Sequence, residues 1–171
     1  LILDEVECQV NNSVYKTRQV PILQLKPILG DVADGIIGLD HFSNQVMLIS
    51  YENEYIKTYD GISDANISGY SKVAMRRERN RLFIPASVSI NEQLKIDGEF
   101  LLDLGAGGSF ILTTDTGIKY DIGNKVEKKI KYSTIAGGIG GESERYVIRA
   151  ARAGLGDFTF NRPIIDYSRD K

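Results

Sequence analysis

Cysteine and histidine each occur once in the 171 residues, and both scarcities close off chemistry. Cys8 has no partner for an intrachain disulfide, so the fold rests on packing; one thiol does not reveal the redox compartment. His41 follows Asp40 without a nucleophile pattern or a cluster of metal ligands, which argues against a histidine-dependent triad and against a zinc site. It reads as a surface or turn histidine. No apolar run approaches the roughly 20 residues that cross a bilayer, and Leu1-Ile-Leu-Asp-Glu5 lacks the character of a signal peptide. Neither sign of charge dominates: 21 Lys and Arg against 23 Asp and Glu leave a formal charge of −2. That balance draws neither nucleic acid nor an anionic membrane strongly. The basic run Met75-Arg-Arg-Glu-Arg-Asn-Arg81 has no interleaved aromatics and reads as solvated surface.

What is present is a succession of short strand patterns. Val6 to Val10 alternates apolar with polar residues, in a strand that can start near Ile2, and Val14 to Leu25 continues past Pro21. Gln45 to Tyr59 reads as a hairpin around Glu52-Asn53. Residues 60–71, rich in Gly, Ser, Asn and Asp, form the candidate linker, which divides the chain into residues 1–66 and 73–171. The second part opens with a strand from Leu82 to Ile90, turns at Asn91-Glu-Gln93 and returns along Leu94 to Leu104. Thr113 to Tyr120 reads as one short helix capped by Thr113 or Thr114. A basic strand around Lys128 to Tyr132 follows. Tyr146 to Leu155 and Phe158 to Ile165 then read as a last hairpin. Many short strands with turn signals predict an all-β fold, closed or sandwiched.

Phe100-Leu-Leu-Asp-Leu-Gly-Ala-Gly-Gly-Ser109 carries the most information. Phe100, Leu101 and Leu102 read as a buried strand, and Asp103 stands where that strand meets a glycine-rich turn. Gly105, Gly107 and Gly108 offer backbone N–H groups unobstructed by side chains. Such donors orient a carboxylate and lower its pKa, as a catalytic acid or base requires. On local chemistry alone an ordinary turn-forming aspartate fits equally well.

A second segment, Ala33-Asp-Gly-Ile-Ile-Gly-Leu-Asp-His-Phe42, sets two β-branched residues between glycines before a polar turn. Together the two segments resemble the aspartic peptidases of the retropepsin and pepsin kind, in their bacterial two-lobed form. That family pairs an apolar-apolar-Asp-Thr/Ser-Gly-Ala/Ser motif with an apolar-apolar-Gly segment. Here the motifs read Leu101-Leu-Asp-Leu-Gly-Ala106 and Ile36-Ile-Gly38, and Val46 to Ile56 resembles the closing hairpin of such a lobe. The resemblance implies acid-protease-like lobes, each a small closed β-barrel with one short helix. It also implies that the chain starts midway through one lobe and ends midway through the next, because Gly38 precedes Asp103. A loose internal repeat, Val10 to Ile22 against Leu155 to Ile165, agrees with that order.

The activity implied is endopeptidase hydrolysis of a polypeptide substrate by two aspartates and a bound water, with no cofactor and no metal. Asp103 would be one member; the other would come from a second lobe or a second copy of the chain. Gly105 would donate to the dyad, Ala106 would continue the loop, Ser109 would place a supporting hydrogen bond, and Gly38 would pack beneath the partner loop. Gly138, Ile139, Gly140 and Gly141 would form a flap over the substrate; a plain flexible turn fits these glycines equally well. Asp115-Thr-Gly117 spells the family triplet more faithfully, yet its polar flanks place it on a helical turn. Leu104 departs from the family, which carries a hydroxyl there, and so favours a non-catalytic peptide-binding relative as the alternative. A β-rich structural module without a site is the third reading. A periplasmic or envelope setting follows from the resemblance alone.

Overall fold

Alternating charge and apolar character along the first twenty residues builds the first ribbon. The computed structural model describes residues 1–10, 13–26, 30–31, 33, 35–106, 110–135 and 142–168; among them the chain is mostly β-strand, with two short α-helices. It divides into two compact units, Leu1–Ser68 and Gly69–Lys171.

In the first unit β1 (Ile2–Val10) pairs antiparallel with β2 (Ser13–Pro21). Residues opposite one another share a face, so Glu5 meets Arg18 and Glu7 meets Lys16 on the polar side, with ion pairs of 3.4 and 3.1 Å. Cys8 and Tyr15 are opposed on the other side. There the Tyr15 ring stacks on His41 at 5.5 Å and meets Phe42 edge-on at 6.0 Å. Both partners come from a 3-10 turn, Leu39–Phe42, so His41 is a turn histidine, half-buried by this packing. β2 stops at Pro21 instead of running on to Leu25, although the Ile22 N–H still donates to Leu1 O at 2.8 Å. A second ribbon joins β3 (Val46–Ser50) to β4 (Tyr55–Tyr59), and Ser50 Oγ accepts from the Asn53 N–H at 3.2 Å in its turn. Every fully buried apolar side chain among the described residues lies in the second unit.

Among the described residues that second unit contains two sheets. The first is built on β6 (Arg81–Ser89), which pairs with β7 (Lys95–Leu101), with β5 (Arg76–Glu78) near its start and with β11 (Arg152–Leu155) near its end; β12 (Phe158–Asn161) lies beyond β11. The other sheet has the order β8 (Phe110–Leu112), β13 (Ile164–Ser168), β10 (Glu142–Arg149), β9 (Ile130–Ile135), with β8 and β13 parallel. One apolar cluster holds Val88 and Ile96 from the first sheet with Leu112, Ile148, Ile165 and Tyr167 from the second.

Several sequence expectations change. Among the described residues no sheet closes into a barrel: the four-stranded sheet ends at β8 on one side and β9 on the other, and closure requires every edge to be paired. Two helices replace the one expected. α1 (Thr114–Lys119) is capped by Thr113, whose hydroxyl accepts from the Thr116 N–H at 3.3 Å. α2 (Ile122–Lys125) follows a left-handed Asp121 and buries Ile122 completely; four residues are too few to show a helical period. The basic run after Met75 forms β5 and a turn with Arg79 at φ 52°. Arg76 there donates to both Glu99 and Glu78. The last segment is four strands rather than one hairpin, because the chain changes sheets at Ala150-Ala151. Alanine carries no turn signal, yet the Ala151 N–H donates to Ser89 O at 2.9 Å and Ala150 N–H to Pro163 O at 3.0 Å.

Burial then ranks substitutions. Ile122→Ala removes a side chain with 0 % exposure and is expected to lower the unfolding free energy by about 2–5 kcal/mol. Ile118→Ala on α1, 62 % exposed, should cost less than about 0.5 kcal/mol. Urea unfolding of both variants checks the ranking.

Candidate carboxylate site and the polar cluster on the second sheet

β7 ends at Leu101, two residues before the carboxylate. The backbone stays tied to β6 one residue longer, through the Leu102 N–H to Leu82 O at 2.8 Å. Leu101 and Leu102 are exposed, at 48 % and 38 %, and only Phe100 packs partly on the core, edge-on to Phe110 at 5.8 Å. The buried Phe100–Leu102 strand expected from the sequence is therefore corrected. Alternation at a strand end turns every second side chain outward, and beyond Leu101 there is no sheet left to cover the others.

Asp103 sits in the turn that follows, exposed to solvent. Its Oδ1 accepts from the Gly105 N–H at 2.9 Å, and the Ala106 N–H reaches Asp103 O at 3.4 Å. This is the local turn in which an aspartate side chain bonds its own backbone two residues on. It fixes one oxygen and leaves the other clear: among the described residues no cation pairs with Asp103. A Cβ on Gly105 would stand 3.4 Å from Asp103 Oδ1, so glycine gives the carboxylate its close approach to the backbone. Leu104 points its side chain largely into solvent, 59 % exposed, and Ala106 is half-buried.

The other residues singled out from the sequence are not gathered around this turn by the described structure. Ser109 and the flap residues Gly138, Ile139, Gly140 and Gly141 lie outside the described residues. Gly38 belongs to the first unit, where a Cβ on it would meet nothing within 4 Å, and Ile36 and Ile37 beside it are 71 % and 48 % exposed. Asp115-Thr-Gly117 is on α1; its glycine is a packing residue, since a Cβ there would lie 3.4 Å from the Tyr167 ring. Among the described residues no group of three or more His, Cys, Asp or Glu is placed to hold a metal ion. No helix among them is long and apolar enough to cross a membrane.

Sequence reasoning missed a second polar cluster. On the four-stranded sheet Arg145 and Tyr132 are opposed across β10 and β9. Arg145 Nε donates to Asp166 Oδ1 at 2.7 Å, and the Tyr132 hydroxyl bonds to Asp166 Oδ2. Only 12 % of the Arg145 side chain and 15 % of Asp166 remain accessible. The signal was the one that marked Asp103: Asp166 interrupts the apolar run Ile164-Ile-Asp-Tyr167. No protein-family model, curated protein or solved structure matches the chain.

Burial, and then the hydrogen bond to Asp166, raise the Tyr132 hydroxyl above the ordinary tyrosine value of 10.0. A group whose folded pKa is raised contributes stability that is complete below its unfolded pKa and lost as pH climbs toward the folded one. Stability should thus hold up to about pH 10 and decline above it. In Tyr132→Phe the alkaline decline should be shallower than in the wild type, as read by thermal unfolding between pH 8 and 11.

Proposed function

We propose that the chain carries one half of an aspartic-peptidase site, with Asp103 as one of two carboxylates that hydrolyse a polypeptide. The observation that carries this reading is the state of Asp103: one oxygen is held by the Gly105 N–H at 2.9 Å, and the carboxylate faces solvent just past the end of a strand, with no cation paired to it among the described residues. A carboxylate so held is oriented yet chemically available, which a general acid or base needs. The motif resemblance and the all-β strand order support the same reading.

One carboxylate does not complete the reaction. Two held about 3 Å apart share a proton, so one stays ionised and activates water while the other protonates the scissile amide. The second carboxylate comes from another lobe or a second copy of the chain. Each unit here would be part of an acid-protease-like barrel lobe. Ser109 would support the loop and Gly138–Gly141 would cover an extended peptide, joined to the site as an added strand.

Leu104 favours a second reading. It places an exposed aliphatic side chain where the resembling family has a hydroxyl that ties the paired loops together. A protein that keeps the cleft and binds peptides without cutting them fits that residue.

Cleavage of an unfolded protein from pH 3 to 7 separates the readings, using the natural protein that contains this chain. Asp103→Asn is expected to reduce cleavage by at least about 100-fold, the lower end of what general acid–base catalysis supplies. Leu104→Thr is expected to raise the wild-type rate. Cleavage that survives Asp103→Asn rejects the assignment; peptide binding without cleavage selects the second reading.

A further inference from the structure

We infer that Arg79 and Arg81, at the turn between β5 and β6, form a subsite for an acidic side chain beside Asp103, and that they select polypeptides carrying a glutamate or aspartate close to the bond held there. The inference deepens the reading of Asp103 as a peptide site and rests on it.

Strand pairing brings the turn and the carboxylate to the same end of one sheet. β6 and β7 run antiparallel, with Phe83 opposite Leu101. The bond from the Leu102 N–H to Leu82 O, 2.8 Å long, extends that register by one pair. The next residues along it are Arg81 and Asp103, on neighbouring strands about 4.8 Å apart. Opposed residues share a face, and so do residues two apart in one strand. Arg81, Phe83 and Leu101 are thus on the side away from the core, and Val88 and Ile96 are on the core side. Leu101 is 48 % exposed there, so the surface between Arg81 and the end of β7 is apolar and open.

The sheet neutralises one arginine of this run and leaves others without an acid. Arg76 lies 4.6 Å over the Phe83 ring, donates to both oxygens of Glu99 at 2.9 Å and reaches Glu78 at 2.7 Å. Glu78 is the residue opposite Arg81, yet its carboxylate is committed to Arg76. Arg79 and Arg81 are exposed and have no carboxylate partner among the described residues. A groove of about 390 Å³ is lined by Glu78, Arg79, Asn80, Arg81 and Phe83. Arg79 stands at φ 52°, in the left-handed region where a hairpin turn ordinarily carries glycine or asparagine. A charge that needed only water could stand at any exposed position without that strain. The guanidinium is permanently charged and presents a planar fork of donors that matches a carboxylate. An extended peptide advances about 3.3 Å per residue. An acidic side chain within about three residues of the bond at Asp103 therefore comes level with this groove.

The experiment uses the natural protein that contains this chain and short peptides that differ only in Glu, Gln or Lys at one position. That position is placed in turn up to about three residues on either side of an apolar centre. At pH about 6 a peptide glutamate is ionised. The best Glu peptide should show a KM on the order of tenfold below its Gln counterpart, the scale of one charge-assisted contact, with kcat changed less than about twofold. Arg79→Gln and Arg81→Gln together should remove the difference, and Arg81→Glu should turn it toward the Lys peptide. Equal KM for the three peptides in the wild type overturns the inference, and so does a Glu preference that survives the double substitution. An effect of Arg81→Glu shared equally by all three peptides overturns it as well, because the residue would then act on Asp103 and not on the peptide. Fluorescence anisotropy supplies a second readout: tighter binding of a short single-stranded oligonucleotide than of the Glu peptide also overturns the inference. Absent cleavage, or cleavage indifferent to Asp103→Asn, defeats the peptidase reading instead. Anisotropy with the same labelled peptides then decides the role of the arginines by the same comparison of Glu with Gln.

Discussion

The parallel pairing of β8 with β13 is the contact on which the second unit depends. Parallel neighbours cannot be joined by a tight turn, so the chain between Leu112 and Ile164 has to leave the sheet and come back. It does so through α1 and α2, returns as β9 and β10, and leaves again through β11 and β12 of the other sheet. On the core side the pair buries Leu112, Ile165 and Tyr167, all at 3 % exposure or less. Gly117 of α1 lies against the Tyr167 ring, and Ile122 of α2 belongs to the same cluster. On the other side Asp166 carries the polar cluster with Arg145 and Tyr132. The two faces of one strand thus combine apolar packing with a hydrogen-bonded polar cluster.

The Asp103 turn hangs between this pair and the first sheet. β7 delivers the chain to it along β6, and the next described strand is β8. Asp103 and Leu104 in this turn are exposed, and Ala106 is half-buried. The exposed leucines around the carboxylate, Leu101, Leu102 and Leu104, make the surface beside it apolar.

The strand content and the capped α1 were legible in the sequence because both rest on local signals: alternation, turn residues and a threonine one residue before a helix. The exposure of Leu101 and Leu102 was not, since an apolar triplet reads as buried whether or not a neighbouring element covers it. β8 was not legible because three residues carry no period. The change of sheets at Ala150-Ala151 depends on hydrogen bonds to Ser89, Ile90 and Pro163, partners far away in sequence. At the site, the Gly105 bond to Asp103 followed from glycine next to an acid. The Tyr132–Asp166–Arg145 cluster joins residues up to 34 positions apart, and only the strand order brings them together.

The most direct test of Asp103 as one half of a shared-proton pair is calorimetric binding of a statine-type peptide, whose hydroxyl occupies the place of the water between two carboxylates. The natural protein that contains this chain should bind it more tightly at acidic than at neutral pH, with binding abolished in Asp103→Asn. Equal binding by wild type and variant, or binding indifferent to pH, would contradict a role for Asp103 in such a pair.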